Sequence, residues 1–189
     1  MRMTDRDTDS DLARRVRAGD SEAFGLLIER YKGRAYAQAL AIVRSREDAL
    51  DLSQEAFARA FRARHTLDPE RPFYAWLCQI LRRLCFNFLR DTRTQGQVID
   101  ASGADWLVST AAAVQEDPQR EAERSEERRR VAAAIDALPP HEREVLVLKE
   151  FEDLKYREIA ELLGIPVGTV MSRLFSARRR LAGALEAHR

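Results

Sequence analysis

Cysteine, histidine, glycine and proline are all scarce in this chain, and each scarcity removes a class of explanation. Two cysteines, Cys78 and Cys85, cannot build a disulfide scaffold. Seven residues apart in a helical pattern, they lie roughly 10 Å from one another, too far to bridge, and read as small core-facing residues. No C-x₂-C pair accompanies them, so no zinc site is expected. The three histidines, His65, His141 and His188, are isolated, and none has the neighbour that would activate a nucleophile. Neither a catalytic residue, nor a metal, nor a cofactor is expected. With 8 Gly and 6 Pro in 189 residues, and few β-branched runs, the turn-rich pattern of a sandwich or barrel is missing. No apolar run approaches the length of about 18 residues that spans a bilayer. The charged stretch from Met1 to Arg17 lacks the apolar segment of a signal peptide. No membrane span is expected, and the expected location is cytoplasmic. A formal net charge of +1 argues neither for nor against nucleic acid.

What the chain does have is Ala, Leu, Arg and Glu, all good helix formers. The expected fold class is all-α, with two small helical domains joined by an extended flexible linker and a helix-turn-helix in the C-terminal domain. The first domain spans 10–93. Asp11 to Ala18 is a short helix ended by Gly19, and Asp20 or Ser21 caps the next, with Phe24, Leu27, Ile28 and Tyr31 at helical spacing. Glu47 to Arg62 is another helix, His65 to Pro72 a proline-bearing loop, and Phe73 to Arg90 a long helix. An acidic linker covers 94–127, where sustained periodicity is lost around Gly96, Gly103 and a lone Trp106. Helices return in 128–189, from about Arg129 to Ala137, after Pro140, from Tyr156 to Leu163 and from Thr169 to Leu185.

Charge is unevenly spread. Past Gly164, Arg173, Arg178, Arg179, Arg180 and Arg189 are offset only by Glu186. The segment Arg157 to Leu174 reads as a helix, a turn at Gly164 and a second helix, the pattern of a DNA-binding helix-turn-helix. Plotted at 100° per residue, Val170, Leu174, Ala177 and Leu181 form one narrow core stripe. The remaining arc offers Thr169, Met171, Ser172, Arg173, Phe175, Ser176, Arg178 and Arg179, hydroxyls, guanidinium groups and apolar tips suited to base edges and phosphates in a major groove. A basic solvated helix would also carry such arginines, and Phe175 alone is ambiguous. On the Glu47–Arg62 helix, Asp48, Asp51, Gln54 and Glu55 share one arc opposite Leu52, Ala56, Phe57, Ala60 and Phe61. That stripe suits a basic protein surface, or is simply solvated.

The segments Asp48-Ala-Leu-Asp-Leu-Ser-Gln-Glu-Ala-Phe57 and Phe73-Tyr-Ala-Trp-Leu-Cys-Gln-Ile80 resemble conserved region 2 of the sigma-70 family. Leu138-Pro-Pro-His-Glu-Arg-Glu-Val-Leu146 and the helix-turn-helix resemble its region 4. In this order and across this linker they resemble the extracytoplasmic-function sigma factors, group 4 of that family. The resemblance implies promoter-specific transcription initiation without enzymatic activity. Its partners would be core RNA polymerase (the β′ coiled coil and the β flap), promoter DNA and a separate anti-sigma factor. Asp48, Asp51, Gln54 and Glu55 would grip the β′ coiled coil. Arg64, His65, Arg71, Tyr74, Arg82, Arg83 and Arg90 would hold the melted −10 element, through phosphate neutralisation and stacking, while Phe73 and Trp76 are assigned to the core. The recognition helix would read the −35 element, and the acidic linker would thread the polymerase channel. Two departures withhold the promoter sequence itself. Ile80-Leu-Arg-Arg83 stands where many relatives have Ile-Ala-Arg-Asn, and Met171 and Ser176 stand where some carry arginine.

The alternative is a LuxR-type helix-turn-helix regulator that acts without joining the polymerase, although no β/α alternation typical of a ligand or phosphoacceptor domain precedes residue 130. A recombinase lacks its nucleophile, and a helical adaptor would not depend on Arg173, Arg178 and Arg179.

Overall fold

Each turn of the chain is fixed by a local chemical device. A computed structural model describes residues 7–94 and 118–186, with side chains described for 7–92 and 126–186. Helix α1 spans Asp9–Arg17 and starts with a capping box in which Thr8 and Asp11 satisfy each other's backbone donors. Helix α2 spans Ser21–Val43; its cap is Asp20, whose carboxylate accepts from the backbone N–H groups of Glu22 and Ala23. Those backbone donors, with Arg15, hold the Asp20 carboxyl below its usual value. Arg44, at a positive φ of 69°, ends α2, and Ser45 caps α3, Arg46–Arg62. A single 3₁₀ turn, Arg64–Thr66, leads through the proline-bearing loop to α4, Phe73–Thr94.

The second half comprises α5, Pro118–Asp136, α6, Pro140–Glu150, α7, Tyr156–Leu163, and α8, Val167–Glu186. Pro140 occupies the first turn of α6, where a missing N–H leaves nothing unpaired. Gly164, at φ 64°, closes α7 in the left-handed region, and α8 leaves it at 107°, within the range of a helix-turn-helix.

Helices α1–α4 form one lobe, filled by the aromatic cluster of Phe24, Phe57, Phe61, Phe73, Tyr31 and Trp76. Helices α5–α8 form the other, where Val145, Leu148, Ile159, Leu163, Val170, Leu174 and Ala177 are buried. The lobes are not separate beads: α2 packs on α6 and α4 on α7.

All described residues are helix, turn or coil, as expected of an all-α chain. Phe73 and both cysteines are fully buried and Trp76 is half-buried. The start of the second half differs from expectation. Helix α5 begins at Pro118, well before Arg129, because Pro118 supplies a helix start and the charged run that follows is made of good helix formers. The C-terminal part of the expected linker, from 118 to 127, is therefore helical. Its remainder, 95–117, including Trp106, lies outside the described residues.

Candidate nucleic-acid interface

Helix α8 owes its orientation to a narrow buried seam. Val170, Leu174 and Ala177 are at most 1% exposed and lock it across α7, where Ile159, Leu162 and Leu163 are buried. The opposite side projects outward. Phe175 is 68% and Met171 53% exposed, unusual values for side chains of that size. Ser172, Arg178 and Arg179 are also exposed, while Thr169, Arg173 and Ser176 are half-buried. The Ser172 hydroxyl donates to the Thr169 carbonyl at 3.1 Å. Arg178 donates to Glu150 at 2.6 Å, and Arg180 stands 3.1 Å from the buried Glu142 carboxylate. Thus α6 supplies carboxylates to arginines of α8.

On α3, Asp51 and Gln54 are exposed and Asp48 and Glu55 half-buried, all on the side away from the buried Ala49, Ser53, Ala56, Phe57 and Ala60. Glu55 accepts from Arg59 at 2.7 Å and from Arg62 at 3.2 Å. The Arg59 hydrogen bond is the main cause that lowers its carboxyl pKa. Leu50 is 49% exposed beside these residues, an apolar spot that the acidic pattern concealed.

The expected −10 residues divide into two groups. His65, Arg71, Arg83 and Arg90 are exposed along the 3₁₀ turn, the loop and α4. Arg71 lies 3.5 Å from Asp68 and Arg90 3.3 Å from Asp91. Arg64 sits over the Phe61 ring at 4.9 Å and donates to the Phe61 carbonyl.

Tyr74 and Arg82 depart from expectation. Tyr74 is 3% exposed because its hydroxyl donates to Gln38 Oε1 at 2.7 Å and the Arg34 guanidinium covers its ring at 4.2 Å. Burial pushes the phenol pKa well up. In this arrangement no base can stack on that ring. Arg82 is drawn into a two-pronged pair with Glu144 of the other lobe, Nε to Oε1 at 2.6 Å and Nη2 to Oε2 at 3.1 Å. Its remaining Nη1 donates to the Leu163 carbonyl at 2.9 Å. The Glu144 carboxylate is fully buried and accepts a further hydrogen bond from Gln38 at 3.2 Å. Gln38 also donates to Cys78 Sγ at 2.9 Å. Burial among these groups raises the Cys78 thiol pKa to about 12.

Two more contacts cross the seam. Arg34 of α2 pairs with Glu152 after α6, whose carboxyl is raised by burial. Farther along, the fully buried Arg143 and the capping Arg44 share the field of one buried carboxylate, Asp136. Arg143 donates one hydrogen bond to the Leu138 carbonyl, while its Nε and Nη1 lack partners. Burial, then the charge of Arg44, lowers its pKa to about 10. Sequence reasoning missed Gln38, Arg34, Glu144 and Glu152, since each looks like an ordinary polar residue of an amphipathic helix.

The lobes leave between them a cleft of about 460 Å³ lined by Arg82, Phe86, His141, Glu142, Thr169, Ser172, Arg173 and Ser176. Arg82, expected at the −10 element, therefore borders the same cleft as Thr169, Ser172, Arg173 and Ser176, expected at the −35 element. Among the described residues, no cluster of His, Cys, Asp or Glu could hold a metal ion, and no single helix is long and apolar enough to cross a membrane.

Comparison with known proteins agrees with this architecture. The sequence profile of Sigma-70 region 2 matches residues 27–95, and that of Sigma-70, region 4 matches residues 128–181. The RNA polymerase sigma-H factor of Pseudomonas aeruginosa is 35% identical over 187 residues, 97% of each chain. The ECF RNA polymerase sigma-E factor of Escherichia coli is 35% identical over 182 residues, 95% of each chain. Among solved structures, CnrH in complex with the cytosolic domain of CnrY superposes with a TM-score of 0.69 at 28% identity, covering 96% of this chain and 99% of that one. The sigma factor RpoE of Bartonella quintana, solved with the anti-sigma factor NepR, shares the fold, with a TM-score of 0.58 at 22% identity over 88% of this chain and 98% of that one.

Proposed function

This chain belongs to the sigma-70 family, among its extracytoplasmic-function members, and from that membership we propose that it joins core RNA polymerase in the cytoplasm and directs promoter-specific transcription initiation. The family consists of initiation factors, and the activity proposed here is recognition and strand opening, with no bond made or broken by this chain. The observation that carries the reading is the presence of two different surfaces on one chain. One is the exposed face of α8 with Ser172, Phe175, Arg178 and Arg179; the other is the acidic face of α3.

In this reading the first lobe, 10–93, holds the polymerase and the −10 element, and the second, 128–189, reads the −35 element. Arginines over a buried stripe reach guanine edges and phosphates, while Phe175 and Met171 offer apolar contact to thymine methyl groups. Asp48, Asp51, Gln54 and Glu55 present acceptors to the basic β′ coiled coil, with Leu50 as an apolar point among them, and the second lobe meets the β flap. Exposed Arg71, Arg83 and Arg90, with Arg64 and His65, track the phosphates of an opened strand. The relative CnrH is known with the cytosolic domain of CnrY, and a separate inhibitory partner of that kind is proposed here too.

In vitro transcription tests the reading, with core RNA polymerase and a library of promoter sequences. Specific start sites that appear only with the protein are the expected result. Failure to associate with core polymerase, together with binding to duplex DNA alone, would overturn it in favour of a regulator that acts outside the polymerase.

A further inference from the structure

The cleft bordered by α4, α6 and α8 has a volume of about 460 Å³, within the range of about 300–1,000 Å³ that small-molecule sites occupy. Its walls carry unanswered polar groups of both kinds. On the donor side, Arg173 is half-buried, and its enclosed Nη1 has no hydrogen-bond partner. Arg82 spends three N–H groups on Glu144 and the Leu163 carbonyl, which leaves two of the five that a guanidinium carries. On the acceptor side, Glu142 is 6% exposed. Its Oε2 stands 3.1 Å from Arg180 Nε, yet accepts no hydrogen bond. A buried donor and a buried acceptor without partners are costly, and a molecule that offers both complements removes the cost.

The cleft also favours an anion. His141 stands in the first turn of α6 and Thr169 in that of α8. Two helix N-termini therefore border it, and their dipoles attract negative charge. The hydroxyls of Thr169, Ser172 and Ser176 add donors that phosphate oxygens can use. Part of the wall is aromatic. The Phe86 ring is half-buried there, with the Arg82 guanidinium 5.6 Å from its centroid, a platform on which a base can stack.

We propose that this cleft binds a nucleoside diphosphate, with its phosphates at Arg173, Arg82 and the helix ends, its base against Phe86, and a sugar hydroxyl or base N–H on Glu142. Two guanidinium groups with N–H to spare suit a pair of phosphates. Pyrophosphate alone would answer them but leave Phe86 and Glu142 unused. Thr169, Ser172, Arg173 and Ser176 also belong to the face read above as contacting the −35 element. The ligand and duplex DNA therefore exclude one another on α8, a consequence that rests on the promoter-binding reading.

Isothermal titration calorimetry on the full chain tests the site. Adenosine and guanosine 5′-diphosphate are the nucleotide probes, and inorganic pyrophosphate is the probe that lacks a nucleoside. At least one nucleotide is expected to bind one-to-one with a Kd below about 1 mM, and pyrophosphate about tenfold more weakly for want of stacking. Arg173→Gln is expected to weaken nucleotide binding about tenfold. Phe86→Leu should weaken the nucleotide and leave pyrophosphate unchanged. Arg17→Gln removes an exposed charge from α1, outside the cleft lining, and should change neither. Circular dichroism verifies that each variant is folded. Absence of saturable nucleotide binding in that range, or equal losses from Arg17→Gln and Arg173→Gln, overturns the site. Equal affinity for pyrophosphate and nucleotide overturns the nucleoside assignment. If Arg173→Gln unfolds, Phe86→Leu decides by its selective effect. In a parallel anisotropy titration on random-sequence duplex DNA, nucleotide at about ten times its Kd is expected to lower the apparent affinity about tenfold. Unchanged affinity overturns the mutual exclusion. Failure of the chain to direct promoter-specific transcription removes the functional reading, while the calorimetric result decides the ligand site by itself.

Discussion

Arg178 and Arg179 show what a single side chain on α8 contributes. Both are exposed, one of them on loan to Glu150, and a guanidinium that exchanges a carboxylate for a phosphate releases a condensed counterion from the DNA. Replacing either by alanine is expected to lower the slope of log affinity against log salt by about 1, measured by fluorescence anisotropy on duplex DNA between low and physiological salt. Arg179 should follow that rule more closely than Arg178, since the latter first gives up its Glu150 partner. An unchanged slope for both variants would remove this face from the DNA. At this scale the sequence was informative where side-chain type and helical position suffice, as for Phe175 and Met171 opposite Val170 and Leu174. It was uninformative for Tyr74 and Arg82. An aromatic and an arginine on a helix suggest stacking and phosphate contact. Their burial is decided by Gln38 and Glu144, 36 and 62 residues away along the chain.

Helix boundaries depend on chemistry within a few residues, and most of them were legible for that reason. Asp20, Pro140 and Gly164 act as cap, first-turn residue and stop in the positions their side chains dictate. Gly164 is the most exacting, because its φ of 64° disfavours any side chain although the surrounding space is open, the nearest atom to an added Cβ being Gln79 Nε2 at 3.8 Å. Gly164→Ala is expected to destabilise the second lobe by about 1–2 kcal/mol, read as a lower midpoint in urea at unchanged slope. A stability equal to that of the parent chain would mean the turn relaxes freely. The start of α5 was less legible, since Glu and Arg at high density suit a solvated coil as well as an exposed helix, and the Pro118 start carries no apolar periodicity beside it.

Taken whole, the molecule is two helical lobes that share one buried apolar cluster, aromatic on the side of the first lobe and aliphatic on the side of the second. A chain cut at an engineered protease site within 95–117 is therefore expected to retain its helical circular dichroism and to elute from a sizing column with its two halves together. Separate elution of the halves would show that the shared cluster does not hold them without the covalent link. Two domains and their order were legible because each buries its own apolar periodicity. Their mutual packing was not, because it joins polar and apolar residues of helices far apart in the chain, whose partners only the fold reveals. The far end of that seam has a consequence of its own. Arg44 and Arg143, one from each lobe, press like charges together around the single carboxylate of Asp136, while two nitrogens of Arg143 go unanswered. Asp136 thus answers two guanidinium groups, one from each lobe, with a single charge, so that losing its carboxylate would leave like charges facing one another across the seam.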